Sequence, residues 1–163
     1  MEKKKIIKMI SLDTSTSESG IAIWENAKLS TRKALIKPKK ENAGADWMMS
    51  QLFNLLNNET PDIVIAEEES ISRNMNTTRQ LVMIIGAVKG WCTANNIFFD
   101  TYPPNIWRKL VAYEDEKIPT KREIAKAWAV SKVKNLYNIN ENNDNICEAI
   151  LIGQAYINLT QKA

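Results

Sequence analysis

The order in which apolar residues alternate or recur along the chain limits its fold more than any other feature. Residues 6–13 alternate and end in a turn rich in Thr and Ser, and residues 20–24 and 32–37 are further short strand-like segments between polar turns. Three such segments in quick succession predict an antiparallel meander. The period then changes. Residues 46–58 place Trp47, Leu52, Leu55 and Leu56 at helical spacing, Thr60-Pro61 ends that helix, and residues 63–67 form an apolar strand. Residues 76–95 again read as helix, 97–101 as strand, and Pro103-Pro104 opens a short helix over 106–111. Thr120-x-x-Glu123 has the form of a capping box that starts a helix running to residue 136. A polar, Asn-rich loop over 138–143 leads to a final helix over 144–159. This order places a meander beside two strands reached by crossovers, which predicts an α/β fold with a five-stranded mixed sheet flanked by helices. No repeat or linker marks a boundary, so residues 1–163 are expected to form a single domain.

The helix over 76–95 carries apolar residues nearly all the way round, among them Leu81, Val82, Met83, Ile84, Ile85, Val88 and Trp91. One apolar stripe suffices to dock a helix on a core, so the excess predicts a second covered face, a subunit interface through the helix over 81–91.

Composition removes several kinds of chemistry. The chain has no histidine, which excludes Ser-His-Asp triads, histidine general bases and histidine-containing zinc sites. Cys92 and Cys147 form no CxxC pair and sit in apolar helical patterns, as reduced core residues do. No apolar run approaches the roughly 18 to 20 residues that span a bilayer, and the lysine-rich start has no signal-peptide core, so a cytoplasmic location is expected, with no membrane partner. The net charge of +3 says little by itself. If four carboxylates gather at one site, however, 22 basic residues face the 15 acids left of 19, and a basic surface around an acidic pit suits a phosphodiester-cutting enzyme.

The acids are placed for such a pit. Asp13 ends one apolar strand and Glu67 another, with Glu68 and Glu69 following. Alternation puts Glu67 and Glu69 on one face and Glu68 on the other. On the final helix, Asp144 and Glu148 are four apart, and Asn145 and Glu148 three apart, so each pair lies on one side. Carboxylates brought together repel unless a divalent cation neutralises them, and an all-oxygen donor set favours Mg²⁺ or Mn²⁺.

These residues resemble a known family. The segment Ile10-Ser-Leu-Asp13-Thr-Ser-Thr-Ser-Glu-Ser-Gly20-Ile-Ala resembles the first strand and turn of the RuvC family of Holliday junction resolvases, in which a glycine stands seven residues after an aspartate. Ile65-Ala-Glu67 followed by Arg73-Asn74 and Gly86 resembles their second motif, and that spacing selects Glu67 over Glu68. Asn143-Asp144-Asn145-Ile-Cys-Glu148-Ala149 resembles their final helix, where two acids three apart precede an alanine. The sequence departs from that pattern at Ser15, where glycine is usual, at Glu148, where aspartate is common, and at Asn145, which is not an acid.

The resemblance implies an RNase H-like fold and a phage-type, homodimeric resolvase of DNA recombination and repair. Such an enzyme binds branched DNA, four-way junctions above all, and nicks it by two-metal hydrolysis. It implies Asp13, Glu67 and Glu148 as catalytic metal ligands, with Asp144, preferred over Asn145 as the fourth ligand, in the catalytic set as well. The expected cofactor is Mg²⁺, two ions per site with Mn²⁺ able to substitute, and no nucleotide. By position, Arg108 and Lys121 fall where the family's basic residues approach the scissile phosphate, Lys121 then belonging to the catalytic set, and Arg73, Asn74, Arg79 and Arg122 are further candidates for DNA contact. Lys3, Lys4 and Lys5 form a basic terminus suited to nonspecific DNA affinity. The five tryptophans are expected mainly as core or interface anchors. Alternatives are another RNase H-like nuclease of the YqgF or RNase H kind, an actin-like ATP-binding fold suggested by the turn after Asp13, and a junction-binding protein without catalysis.

Overall fold

The computed structural model describes residues 7–41, 44–70 and 74–162. Arg73 and Lys3 to Lys5 lie outside the described residues. Within them the chain forms strands β1 (Lys8–Asp13), β2 (Glu18–Glu25) and β3 (Lys28–Ile36), helix α1 (Ala45–Glu59), strand β4 (Ile63–Glu67), helix α2 (Met75–Ala94) and strand β5 (Phe98–Tyr102). Helices α3 (Pro104–Val111), α4 (Arg122–Tyr137) and α5 (Asp144–Lys162) follow. The sheet order is β3-β2-β1-β4-β5, antiparallel across the first three and parallel from β1 to β4 to β5. The expected mixed five-stranded sheet is therefore present.

Alternation along the strands divides the core in two. Ile10, Leu12, Ile21, Ile23, Val64 and Ala66 point to one face and are covered by α1 and α2. Met9, Ala22, Trp24 and Ile65, the residues between them, point to the other and are covered by α3, α4 and α5. Both sheet faces are covered, as crossover helices require. Cys92 and Cys147 are buried, one in each half, and carry free thiols.

Helix α5 lies directly against β1 and β2. Ser11 Oγ donates to the carbonyl of Ala149 (2.7 Å) and accepts from Trp24 Nε1 (2.9 Å). The approach is so close that a Cβ at Gly153 would stand 2.4 Å from Trp24 Nε1 and 2.6 Å from Ser11 Oγ, and one at Gly20 would stand 1.9 Å from the Asn145 carbonyl oxygen. Glycine at these two positions sets how deeply and at what rotation the helix seats.

Two expectations change. The capping box at Thr120 is not formed. Lys121 is the N-cap of α4 and makes no side-chain cap bond, so Glu123 falls at the second helical position, one residue short of reaching back over the cap. Strand β3 begins at Lys28, ahead of residue 32, because it is a largely exposed edge strand on which apolar alternation fades.

Candidate functional site

Parity and register bring Asp13 and Glu67 together. Asp13 follows Met9 and Ser11 on the α5 side of β1, and Glu67 follows Ile65 on the same side of β4. The parallel register pairs Leu12 with Ala66, so the next two residues, Asp13 and Glu67, stand side by side at the carboxyl ends of adjacent strands. On the other flank, Asp13 pairs with Gly20 of β2. Because Gly20 has no side chain, the first turn of α5 can rest there, and the Ser11–Ala149 bond one residue on holds Glu148 over the two strand ends. The spacing of seven between Asp13 and Gly20 is thus the register of a hairpin.

Carboxylate oxygens of Asp13, Glu67 and Glu148 all lie within 4.8 Å of one another. The electrostatic consequence follows from burial and like charge. Burial, then Glu148 and Glu67, push the Asp13 carboxyl well above its ordinary range. Burial and the Glu148 charge raise Glu67 from 4.5 to about 7, against the opposing pull of Trp107 and Arg108. Burial also raises Glu148, which is close enough to share a hydrogen bond with Asp13. Trp107 Nε1 donates to Glu67 Oε2 (2.7 Å) and fixes that carboxylate in place.

The three acids line a cavity of about 540 Å³ together with Thr14, Glu69 and Asn145, and with Arg108, Thr120, Arg122 and Lys126 on its wall. Arg108 reaches Glu148 (3.7 Å) and lies 5.0 Å from the centre of the Trp107 ring. Its buried Nε has no hydrogen-bond partner among the described residues. The arrangement is an acidic patch flanked by cations: the first suits a divalent cation, the second the phosphate that would accompany it.

Other candidates fall as follows. Asn145 lines the cavity, whereas Asp144 turns to Lys126 (2.9 Å) and is not among the lining residues. Asn74 caps α2, its side chain accepting from the N–H groups of Asn76 (3.0 Å) and Thr77 (3.3 Å). Arg79 is exposed on α2. Lys121 is exposed at the start of α4, outside the cavity lining that its neighbours Thr120 and Arg122 join.

Sequence reasoning missed three participants. Lys126 was legible as the residue four after Arg122 on one helical face. Glu69, which lies just past β4 and was put on the Glu67 side by alternation without being named for the site, accepts from Thr14 Oγ1 (3.0 Å) and is raised by burial. Trp107 as the donor to Glu67 had no local signal, since it depends on how α3 docks.

No family model matches the sequence, and no curated protein matches it either. Solved structures do. Thermus thermophilus RuvC in complex with a Holliday junction substrate superposes with a TM-score of 0.74 at 14% identity, over 96% of this chain and 96% of that one. The fowlpox virus resolvase, in complex with substrate Holliday junction DNA, gives 0.65 at 16% identity over 94% and 99%. The yeast mitochondrial Holliday junction resolvase gives 0.64 at 12% identity over 94% and 80%. The chain has the RNase H-like fold that these Holliday junction resolvases share.

Proposed function

We propose that this chain is a divalent-metal-dependent endonuclease that resolves four-way DNA junctions by hydrolysing phosphodiester bonds. The observation that carries the reading is the meeting of the Asp13, Glu67 and Glu148 carboxylates within 4.8 Å, in a cavity walled by Arg108, Arg122 and Lys126, on a fold shared with junction resolvases.

A hard cation fits the residues present. The donors are all oxygens, and three acids packed this closely resist ionisation until positive charge arrives. Asp13, Glu67 and Glu148 would hold the metal, with Asn145 as a neutral donor beside them. Held there, a pair of Mg²⁺ ions, or Mn²⁺ in their place, would supply activation of water and stabilisation of the leaving oxygen. The chain's own contribution is orientation and charge. Trp107 holds Glu67, the Ser11–Ala149 bond seats Glu148, and Arg108 offsets negative charge at the reacting phosphate. Arg122 and Lys126 hold the DNA backbone, with Lys121 and Arg79 contacting flanking phosphates.

Two symmetric nicks need two sites, and α2 has a face suited to a second copy of the chain. Ile84, Val88 and Cys92 are buried on one side of it. Met75, Val82 and Met83 are exposed at helical spacing on the opposite side, with Gly86 and Gly90 in the same stripe and nothing near either glycine. A homodimer through this stripe is the assembly we assign. No helix among the described residues is long and apolar enough to cross a membrane.

The test is cleavage of a synthetic four-way junction in Mg²⁺ by wild type and by Asp13→Asn, Glu67→Gln and Glu148→Gln. Each variant is expected to retain junction binding and to lose nicking by about 10²-fold or more. A variant that cuts at the wild-type rate does not belong to the site. Preferential cutting of RNA–DNA hybrids would move the assignment to RNase H chemistry, and binding without nicking by the wild type would make the protein a junction binder.

A further inference from the structure

Beyond the acidic cavity, one charged side chain among the described residues is almost wholly removed from solvent. It is Lys132 of α4, 2% exposed. Its Nζ lies 2.5 Å from Glu116 Oε2 and 3.2 Å from the centre of the Tyr113 ring, with the Trp128 ring 5.7 Å away. Glu116 is part-exposed yet takes further donors. Its Oε1 accepts from Trp128 Nε1 (2.8 Å), and its Oε2 also accepts from the Tyr113 N–H (2.7 Å). Burial opposes ionisation of Glu116, but these donors outweigh it and keep the carboxyl below its usual range.

Burying a lysine is costly, and apolar side chains of the same volume pack a loop against a helix without that cost. What such a pair adds is geometry, because it accepts one position of the loop and rejects others. The loop it fixes joins α3 to α4 and ends at Thr120 and Arg122, which line the acidic cavity. That end lacks the local bond that ordinarily orders a helix start, since Lys121 makes no side-chain cap. The cluster also reaches the residue that holds Glu67. The Trp128 ring lies 6.4 Å from Trp107, whose Nε1 holds Glu67.

We propose that Glu116 and the buried Lys132 form a latch whose role is to position Thr120 and Arg122 on the cavity wall for DNA phosphates. Both are positioning residues: neither lines the cavity, and each acts through the loop. The proposal rests on the junction-nuclease reading for its DNA part only. The latch itself is a property of the free protein.

The test combines two measurements on Lys132→Met and on the pair Glu116→Gln/Lys132→Met, which leaves no unpaired charge behind. Hydrogen exchange of the free protein is expected to become about 10-fold faster across residues 113–122, with β1, β4 and α5 unchanged. Binding of an uncleaved synthetic four-way junction, titrated in NaCl without Mg²⁺, is expected to weaken about 5-fold, with the salt slope about one lower, the signature of one lost phosphate contact. Arg122→Ala should show the same loss, and combining it with Lys132→Met should add nothing. Unchanged exchange over 113–122 overturns the latch. Faster exchange with losses that add to those of Arg122→Ala overturns its positioning role. If exchange quickens as expected but the wild type does not bind the junction, the junction reading falls and the latch stands.

Discussion

Replacing Glu67 by glutamine should make the metal-free protein more stable at pH 8. The folded carboxyl is raised from 4.5 to about 7, first by burial and then by Glu148. Between those two values the native state binds a proton that the unfolded chain has released, so stability falls as pH rises through the window. Below 4.5 both states are protonated and nothing is lost; above 7 the whole penalty is present. A shift of that size corresponds to about 3 kcal/mol, and solvent in the open cavity reduces the expected figure to about 2 kcal/mol. Glutamine keeps an oxygen to accept the Trp107 N–H, so that hydrogen bond survives while the weaker attraction of Arg108 is lost. For a chain of this length, about 2 kcal/mol corresponds to a rise in Tm of roughly 4–8 °C.

The assay is thermal unfolding in EDTA at pH 8 and at pH 4. The gain should appear at pH 8 and vanish at pH 4. Mg²⁺ should raise the Tm of the wild type at pH 8, by up to about 2.7 kcal/mol of stability at one hundred times its Kd, and raise that of Glu67→Gln much less. An unchanged or lower Tm for the variant at pH 8, or an equal gain at both pH values, would refute the argument that repulsion among these acids is held in check by the fold.

Other outcomes follow from contacts described above. Gly153→Ala places a methyl group 2.4 Å from Trp24 Nε1, and urea denaturation should show a loss of about 1–3 kcal/mol. Met83→Arg, on the exposed stripe of α2, should convert a dimer to monomers in sedimentation equilibrium while leaving the circular dichroism spectrum unchanged. Asn145→Asp adds a carboxylate beside Asp13, Glu67 and Glu148 and should tighten Mn²⁺ binding measured by calorimetry, whereas Asp144→Asn, whose group pairs with Lys126 instead, should change it by less than about 3-fold.

The sheet was legible in the sequence because its buried strands announce themselves by period and the crossover helices by theirs. The edge strand β3 was not fully so, since exposed positions on both faces carry no such pattern. Asp13 and Glu67 were legible for the same reason: each ends an apolar strand, and parity sends both to the α5 side. The choice between Asp144 and Asn145 was not. Both lie within one turn of Glu148, and which one faces the cavity depends on the rotation of α5, set by contacts at Gly20, Gly153 and Ser11 more than a hundred residues away in the chain for Ser11. The capping box failed by a single residue, because Lys121 and not Thr120 stands at the start of α4, which puts Glu123 one position short of the cap. Trp107, similarly, read as a core anchor and is one, yet the same side chain orients Glu67.

The three acids come from β1, β4 and α5, so their meeting requires an early, a middle and a late segment of the chain. During synthesis, a chain halted before α5 holds two of the three carboxylates and leaves the sheet face that receives Ile150, Ile152 and Ala155 uncovered. The helix that completes the core is also the one that completes the acid cluster. A partly made or partly unfolded molecule therefore has no assembled acid cluster, and under the proposed nuclease reading cutting is confined to the finished fold by the order in which its pieces come together.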